Sequence, residues 1–239
     1  MLPFSEETQM KKHNSIFAIA LFAFVASIAF MVATPSNSNI ALFWVVKNTV
    51  EKKDSTDQWV QAKKGDFIYP GNFVRTEKES FTLVKFNDAS TLRLGSNAEV
   101  QIYGDKNPQS ANVSSGDVGF TMTKRTNGQF EFTTPTSVAS IRGTEGVVTV
   151  QMDGTDFLTI VEGLVQFTNK FSNKTIDVSA GQTGESSKDG GIDVHQSTQE
   201  DLNRLSQLDN QFNQQQHKLE VWFLGSDGKL HEVIIETQQ

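Results

Sequence analysis

Few residues in this chain stand at spacings that chemistry requires. Of the four histidines, His195, His217 and His231 fall in a polar stretch and the tail, with no carboxylates at a metal-ligand spacing, so solvated surface histidines outweigh a metal trio. No Gly-x-Ser-x-Gly elbow, His-Glu-x-x-His pair or phosphate-cradling Walker loop occurs. Cysteine is absent, which removes disulfides, thiolate metal sites and a cysteine nucleophile. Asp189-Gly190-Gly191-Ile192-Asp193 faintly suggests calcium but lacks the full ligand set of an EF-hand loop. The expectation is a chain with no catalytic residue, cofactor or metal. Arg142-Gly143-Thr144 is the strongest candidate for a special site. An arginine beside a tight glycine can take a carboxylate or glycan phosphate of a partner. Equally, it can satisfy strand-end carbonyls while the glycine makes a bend, and that structural reading is preferred.

The bulk properties narrow the class further. The 239 residues carry 21 Lys and Arg against 28 Asp and Glu, a formal charge of −7. That balance argues against a general nucleic-acid binder, which needs positive surface to displace phosphate counterions. The pairs Lys52-Lys53, Lys63-Lys64 and Lys124-Arg125 are read first as solvated strand edges that discourage edge-to-edge pairing, and second as a weak attraction to anionic envelope polymers. Phenylalanine dominates the aromatics, 18 against two Tyr and three Trp, which favours core filling, although Trp44, Trp59 and Trp222 remain available for stacking on carbohydrate.

From Phe43 to Val178 the chain alternates in the manner of half-buried strands, and residues 40–183 are expected to form one β domain. Val118, Phe120 and Met122 share one face of Asp117–Thr123, and Phe130 with Phe132, Leu92 with Leu94, Val100 with Ile102 and Ile176 with Val178 repeat the pattern. Leu158 and Ile160 oppose Phe157, Thr159 and Val161, so that strand is expected to be central. Asn87-Asp88, Asn127-Gly128, Asp153-Gly154 and Asn173-Lys174 punctuate the runs. The class is mainly β: an antiparallel sandwich or roll, or a short solenoid, without helical crossovers. Gly116-Asp117-Val118-Gly119-Phe120 and Gly163-Leu164-Val165-Gln166-Phe167 share Gly-x-Val-x-Phe, a faint internal echo that chance could also produce.

The flanks differ from this body. Residues 16–33 form an apolar run broken only by Ser27, about 27 Å as a helix and so close to a bilayer's apolar thickness. Lys11 and Lys12 precede it, which would keep the amino terminus cytoplasmic and send the rest outward. Residues 1–33 are therefore a signal anchor or cleaved signal peptide (with Met1 or Met10 as the start), and 34–39 a linker. Residues 184–197, with Gly184–Gly191 (GESSKDGG) inside them, read as a second linker. Residues 198–239 read as a helix plus a β-hairpin around Gly225-Ser226-Asp227-Gly228. On the helix, Leu202, Leu205, Leu208 and Phe212 form one narrow apolar stripe, with Ser197 or Thr198 as cap and Glu200 or Asp201 in the first turn. Packing of the stripe on the β body is preferred over a partner-binding surface.

Trp59–Asp66, Gly71–Thr76, Phe86–Leu94, Thr133–Pro135, Ile141–Thr144, Val161–Val165 and Ala180–Gln182 are individually weak motifs, and their order over roughly residues 58–183 resembles the FecR domain. Trp59–Asp66, with Gly65 and Asp66, then Gly71–Thr76, with Arg75 and Thr76, resemble its opening. Phe86–Leu94, with Asp88, resembles the next strand pair, although Ala89 stands where the family commonly has glycine. Thr133-Thr134-Pro135 followed by Ile141-Arg142-Gly143-Thr144 resembles the most recognisable signature. Val161–Val165, with Glu162 and Gly163, and Ala180-Gly181-Gln182 resemble the closing strands. The resemblance implies a bacterial extracytoplasmic β domain, best known as the outer half of a single-span regulator that signals from an outer-membrane receptor to a sigma factor. Only about 15 residues precede the apolar run here, too few for that regulator's inner domain. The expected function is thus a non-enzymatic envelope protein that binds another envelope protein or polymer, beside the inner membrane if the anchor is retained. The alternative is a component of a signal relay to a sigma factor.

Overall fold

The computed structural model describes residues 38–54, 57–104, 109–124, 129–216, 218–224 and 230–236, with side chains as far as 211. The chain divides into two units, Met1–Asn37 and Ser38–Gln239. The first, with the apolar run at 16–33, lies outside the described residues. Among the described residues no helix is long and apolar enough to cross a membrane.

In the second unit the strands are β1 Ala41–Lys47, β2 Val50–Lys53, β3 Val60–Gln61, β4 Phe67–Ile68, β5 Asn72–Thr76, β6 Phe81–Phe86, β7 Thr91–Leu94, β8 Glu99–Tyr103 and β9 Gln109–Thr121. They continue as β10 Phe130–Thr133, β11 Ser137–Ile141, β12 Glu145–Val150, β13 Asp156–Glu162, β14 Leu164–Asn169, β15 Thr175–Ser179, β16 Gln182–Ser186 and β17 Ile192–Gln196. Helix α1, Gln199–Gln216, follows, and then β18 Lys218–Leu224 pairs antiparallel with β19 Leu230–Glu236. The GSDG turn of that hairpin lies outside the described residues.

Pairing places the strands in two layers. One runs β4-β1-β6-β7-β9-β12-β13-β16-β17. The other runs β3-β2-β5-β8-β9-β10-β11-β14-β15. Strand β9 belongs to both: its first half pairs with β8 and β10, its second half with β7 and β12. Gly116 makes the crossing, at φ +81, where a Cβ would come within 2.7 Å of the Ala98 Cα. The β9–β10 pair is parallel and the other described pairs are antiparallel, so the sheet is mixed.

The alternation seen in sequence determines which side chains meet between the layers. Val118, Phe120 and Met122, Phe130 and Phe132, Leu92 and Leu94, and Val100 and Ile102 are all buried in one core. Rings from the two layers touch: Phe86 lies 5.8 Å from Phe130, and Phe120 lies 5.0 Å from Phe132. The two Gly-x-Val-x-Phe segments have equivalent roles on opposite layers. Each begins with a positive-φ glycine, and Val118, Phe120, Val165 and Phe167 all enter the core.

Helix α1 covers the outer side of the first layer. It starts with a reciprocal cap: the Thr198 N–H and Oγ donate to Asp201 Oδ2, both at 2.8 Å, and Asp201 N–H donates to Thr198 Oγ. Burial alone would push the Asp201 carboxyl up, but the Thr198 hydrogen bonds and the Arg204 charge bring its net shift below the ordinary value. Leu205 and Leu208 are buried on Phe81, Leu83 and Val147, so the packing reading holds for these two residues of the stripe. Leu202 is 38 % exposed, and the Phe212 side chain lies outside the described residues.

The expected linker at 184–197 is corrected by this geometry, because it contains most of β16 and all of β17. Gly184 and Ser186 are there for close fit. A Cβ on Gly184 would meet Phe167 and Val178 at 2.8 Å, and Ser186 is fully buried and hydrogen-bonded. Strand β13 lies between β12 and β16 as expected, but only part of its outer face is covered, since Val161 is 41 % exposed.

Candidate functional site

Most of the motif residues hold the fold. Gly65 and Gly71 both have φ +88 at turns, and Gly71 N–H donates to the Ile102 carbonyl at 2.7 Å. Asp66 pairs with Lys52 at 3.0 Å; burial pushes its carboxyl up, but the Lys52 and Lys63 contacts more than offset this and the net shift is downward. Arg75 grips Glu51 through Nε at 2.7 Å and Nη2 at 2.6 Å, and its guanidinium lies 4.1 Å over Trp59. Thr76 Oγ donates to the Gly95 carbonyl at 2.5 Å and accepts from Ala98 N–H at 3.0 Å. Asp88 accepts from Ser90 N–H at 3.0 Å, and Ala89 takes φ +69, the left-handed turn that sequence comparison with the glycine of the FecR pattern puts in question. Gln182 Oε1 accepts from Ser179 N–H at 2.9 Å.

Thr134 and Pro135 belong to a buried polar junction that the sequence did not reveal. Asp156 is fully buried, and one of its oxygens accepts from the Thr134 and Thr136 hydroxyls, from Thr136 N–H at 2.8 Å and from Ser137 Oγ at 3.2 Å. Ser186 adjoins Thr136, and Asn169 donates to Ser186 Oγ at 2.9 Å and to the Ser187 carbonyl at 2.8 Å. The junction ties the β10–β11 turn to β13, β14 and β16. A run of hydroxyl residues around a proline, needing a common acceptor once buried, was its one signal in the sequence.

At the opposite end of these strands, the Arg142-Gly143-Thr144 turn differs in character. Gly143 has φ +64, with the Lys124 backbone against it, and Thr144 is 3 % exposed with its carbonyl accepting from Met122 N–H at 2.9 Å. Gly163, at φ +99, lets its own turn close over Thr144, whose methyl a Cβ there would strike. The Gly163 carbonyl in turn accepts from Ala180 N–H at 3.0 Å. Three motif turns thus form one rigid end. The side chains they present are a different matter: Arg142 and Glu162 are exposed and have no partner among the described residues. Beside them Val161 is 41 % and Leu164 57 % exposed, and Lys124 is exposed next to Gly143. Gly143 and Thr144 are thus built into the fold, whereas Arg142 meets no strand-end carbonyl among the described residues.

Such a surface can take a carboxylate bidentately through the guanidinium and seat apolar side chains beside it. Among the described residues no group of three metal-ligating side chains comes together. His195 Nδ1 lies 2.9 Å from the Gln196 carbonyl, and the Asp189 carboxylate closes its own turn onto Ser187 and Gly191 N–H. The lysine pair at 52–53 is engaged, contrary to the solvated-edge reading: Lys52 binds Asp66, and Lys53 Nζ lies 4.4 Å over Trp59 and 4.8 Å over Phe73. The Trp59 ring is accordingly occupied by its own chain.

Two further residues were missed. Arg93 on β7 is 7 % exposed on the outer side of the first layer, where its Nη1 binds Asp209 of α1 at 2.5 Å and its Nη2 lies 3.4 Å from Glu145. Burial first, then Glu145, push the Asp209 carboxyl above its ordinary value against the pull of Arg93. Nothing local in Leu92-Arg93-Leu94 marks this latch, because its acid lies more than a hundred positions away.

Comparison with known proteins matches residues 72–166 to the FecR protein family. Two crystal structures, each of a candidate anti-sigma factor from Parabacteroides distasonis, were also matched. The first has 12 % identity and a TM-score of 0.48 over 55 % of this chain, and the match spans 62 % of that chain's length. The second has 10 % identity and a TM-score of 0.46 over 70 % of this chain and 99 % of the other. No curated protein matches in sequence.

Proposed function

The chain carries a FecR domain at residues 72–166, and from that premise we propose that it is a non-enzymatic envelope module that docks a protein partner through its Arg142 end. The carrying observation is the contrast within one motif: Gly143 and Thr144 are locked into the fold, whereas Arg142 is held out without a partner among the described residues. A rigid turn presenting a guanidinium beside Leu164, Val161 and Glu162 favours a partner segment with a carboxylate next to apolar side chains. The apolar run at 16–33 supports export and an anchored or signal-borne position outside the cytoplasm.

The test compares wild type with Arg142→Ala and Leu164→Ser in crosslinked envelopes. The expected result is a partner captured by wild type and lost from both variants, whose melting temperatures match wild type. Capture that survives both substitutions overturns the reading. A second reading, a component of a transmembrane relay to a sigma factor, is favoured by the FecR domain itself. It requires an altered transcriptome when the gene is deleted and restored activity when wild type, but not Arg142→Ala, is returned.

A further inference from the structure

A cleft of about 400 Å³ opens between the β2–β3 arm and the β4–β5 segment, at the edge of the layers. It is lined by Lys52, Lys53, Asp54, Asp57, Gln58, Val60, Phe67, Tyr69 and Asn72, and its volume lies within the range of small-ligand sites, about 300–1,000 Å³. None of these residues belongs to the Arg142 end, so the cleft stands apart from the docking reading.

Its walls divide by chemistry. The apolar part is Val60, 51 % exposed, and Phe67, 49 % exposed, both far more open than core residues of their kind. The polar part is braced from behind by Asn72, which is 5 % exposed: its Oδ1 accepts from Tyr69 N–H at 3.0 Å and its amide donates to one oxygen of Asp54. The second Asp54 oxygen, the Asp57 carboxylate, the Gln58 amide and the Tyr69 hydroxyl have no partner among the described residues. The two ammonium groups are already spent, Lys52 on Asp66 at 3.0 Å and Lys53 over the Trp59 and Phe73 rings. With Lys52 paired to Asp66, Lys53 is left against Asp54 and Asp57, so the lining carries little net charge.

The geometry points to a binding site for a neutral saccharide. Unengaged carboxylate and amide oxygens accept hydrogen bonds from hydroxyl groups, the amide and phenol donate back, and a half-exposed aromatic ring takes the apolar C–H face of a pyranose. An anionic polymer would bring its charge against Asp54 and Asp57 without a free cation to meet it. A nucleic acid is disfavoured on the same ground. A basic peptide is the competing occupant, since carboxylates beside an aromatic ring also suit an ammonium group; the spent lysines at the rim weigh against it.

The test is calorimetric titration of the full chain with tri-N-acetylglucosamine, maltotriose, tetralysine and polygalacturonate. The expected result is saturable binding of at least one neutral trisaccharide, weakened tenfold or more by Phe67→Ala and by Asp57→Asn and unchanged by Arg142→Ala. Tyr69→Phe, which removes one hydroxyl and leaves the packing intact, should weaken it severalfold with an unaltered melting temperature. Absence of binding by both trisaccharides overturns the proposal. So does tighter binding of tetralysine or polygalacturonate, or trisaccharide binding indifferent to Phe67→Ala and Asp57→Asn. Because Arg142→Ala reports on the other surface, the loss of either reading leaves the other standing.

Discussion

Replacing Arg93 with methionine removes the cation that meets Asp209 of helix α1 while keeping most of the side-chain volume. In the wild type the guanidinium sits among Asp209 Oδ1 at 2.5 Å, Glu145 Oε1 at 3.4 Å and the Thr121 hydroxyl at 3.1 Å. Without it, two carboxylates face one another across a partly desolvated contact. Removing one partner of a fully buried ion pair costs about 3–5 kcal/mol. Here the Asp209 and Glu145 side chains are 36 % and 30 % exposed and can recover some water, so about 2–3 kcal/mol is expected. In a chain of this size that lowers the melting temperature by roughly 4–12 °C. Asp209→Asn should behave differently. It leaves Arg93 and Glu145 as a balanced pair and retains an acceptor for the guanidinium, so its cost is about 0–1 kcal/mol. The direction of the Asp209 shift agrees, because burial already disfavours its charged form. A carboxyl raised in the folded state adds stability that is fully present below its unfolded value and is lost as pH rises through the raised one. Wild type should therefore lose stability relative to Asp209→Asn as pH rises from the ordinary carboxylate value through the raised one. Urea unfolding at several pH values measures the global terms, and amide exchange over 199–211 measures release of the helix while the layers stay protected. Equal costs for Arg93→Met and Asp209→Asn, or a pH dependence of opposite sign, would refute this account of the latch.

Other substitutions probe other parts of the structure. Ala89→Gly should stabilise by about 0.5–1 kcal/mol in thermal melts, since Ala89 is exposed at φ +69 and the relief of left-handed strain exceeds the added chain entropy. Asp156→Ala should cost about 3–5 kcal/mol by denaturant titration, because three hydroxyls and the Thr136 N–H lose a shared buried acceptor. Thr198→Ala should cost about 1 kcal/mol and raise exchange in the first turn of α1, the loss of a reciprocal cap. Arg142→Ala should leave the melting temperature within roughly 1–2 °C of wild type, as an exposed side chain with no partner among the described residues does.

Several features of the fold were present in local spacing. Period-two alternation predicted that Val118, Phe120 and Met122 would point inward, and Thr198 with Asp201 announced the start of α1, because both effects act within a few residues. Composition misled at 184–197, where glycine and serine suggested slack. Whether a glycine marks a loose tether or a tight fit depends on what approaches it, and Phe167 and Val178 approach Gly184 from other strands. The motif order likewise marked Arg142-Gly143-Thr144 without telling support from display. That distinction came from the burial of Thr144 and from the exposure of Arg142, which meets no partner among the described residues.

By itself the sequence settled a cysteine-free, acidic, mainly β chain, the inward faces of its strands and an ordered set of FecR-like motifs, because those depend on residue type and near neighbours. Tertiary structure alone decided that β9 serves both layers, that Arg93 meets Asp209, that Asp156 gathers the hydroxyls of the Thr134 turn, and that Phe67 and Asp57 share a cleft. Each of those outcomes joins groups on separate strands or loops, and a contact between elements has no periodicity by which it can be read in advance.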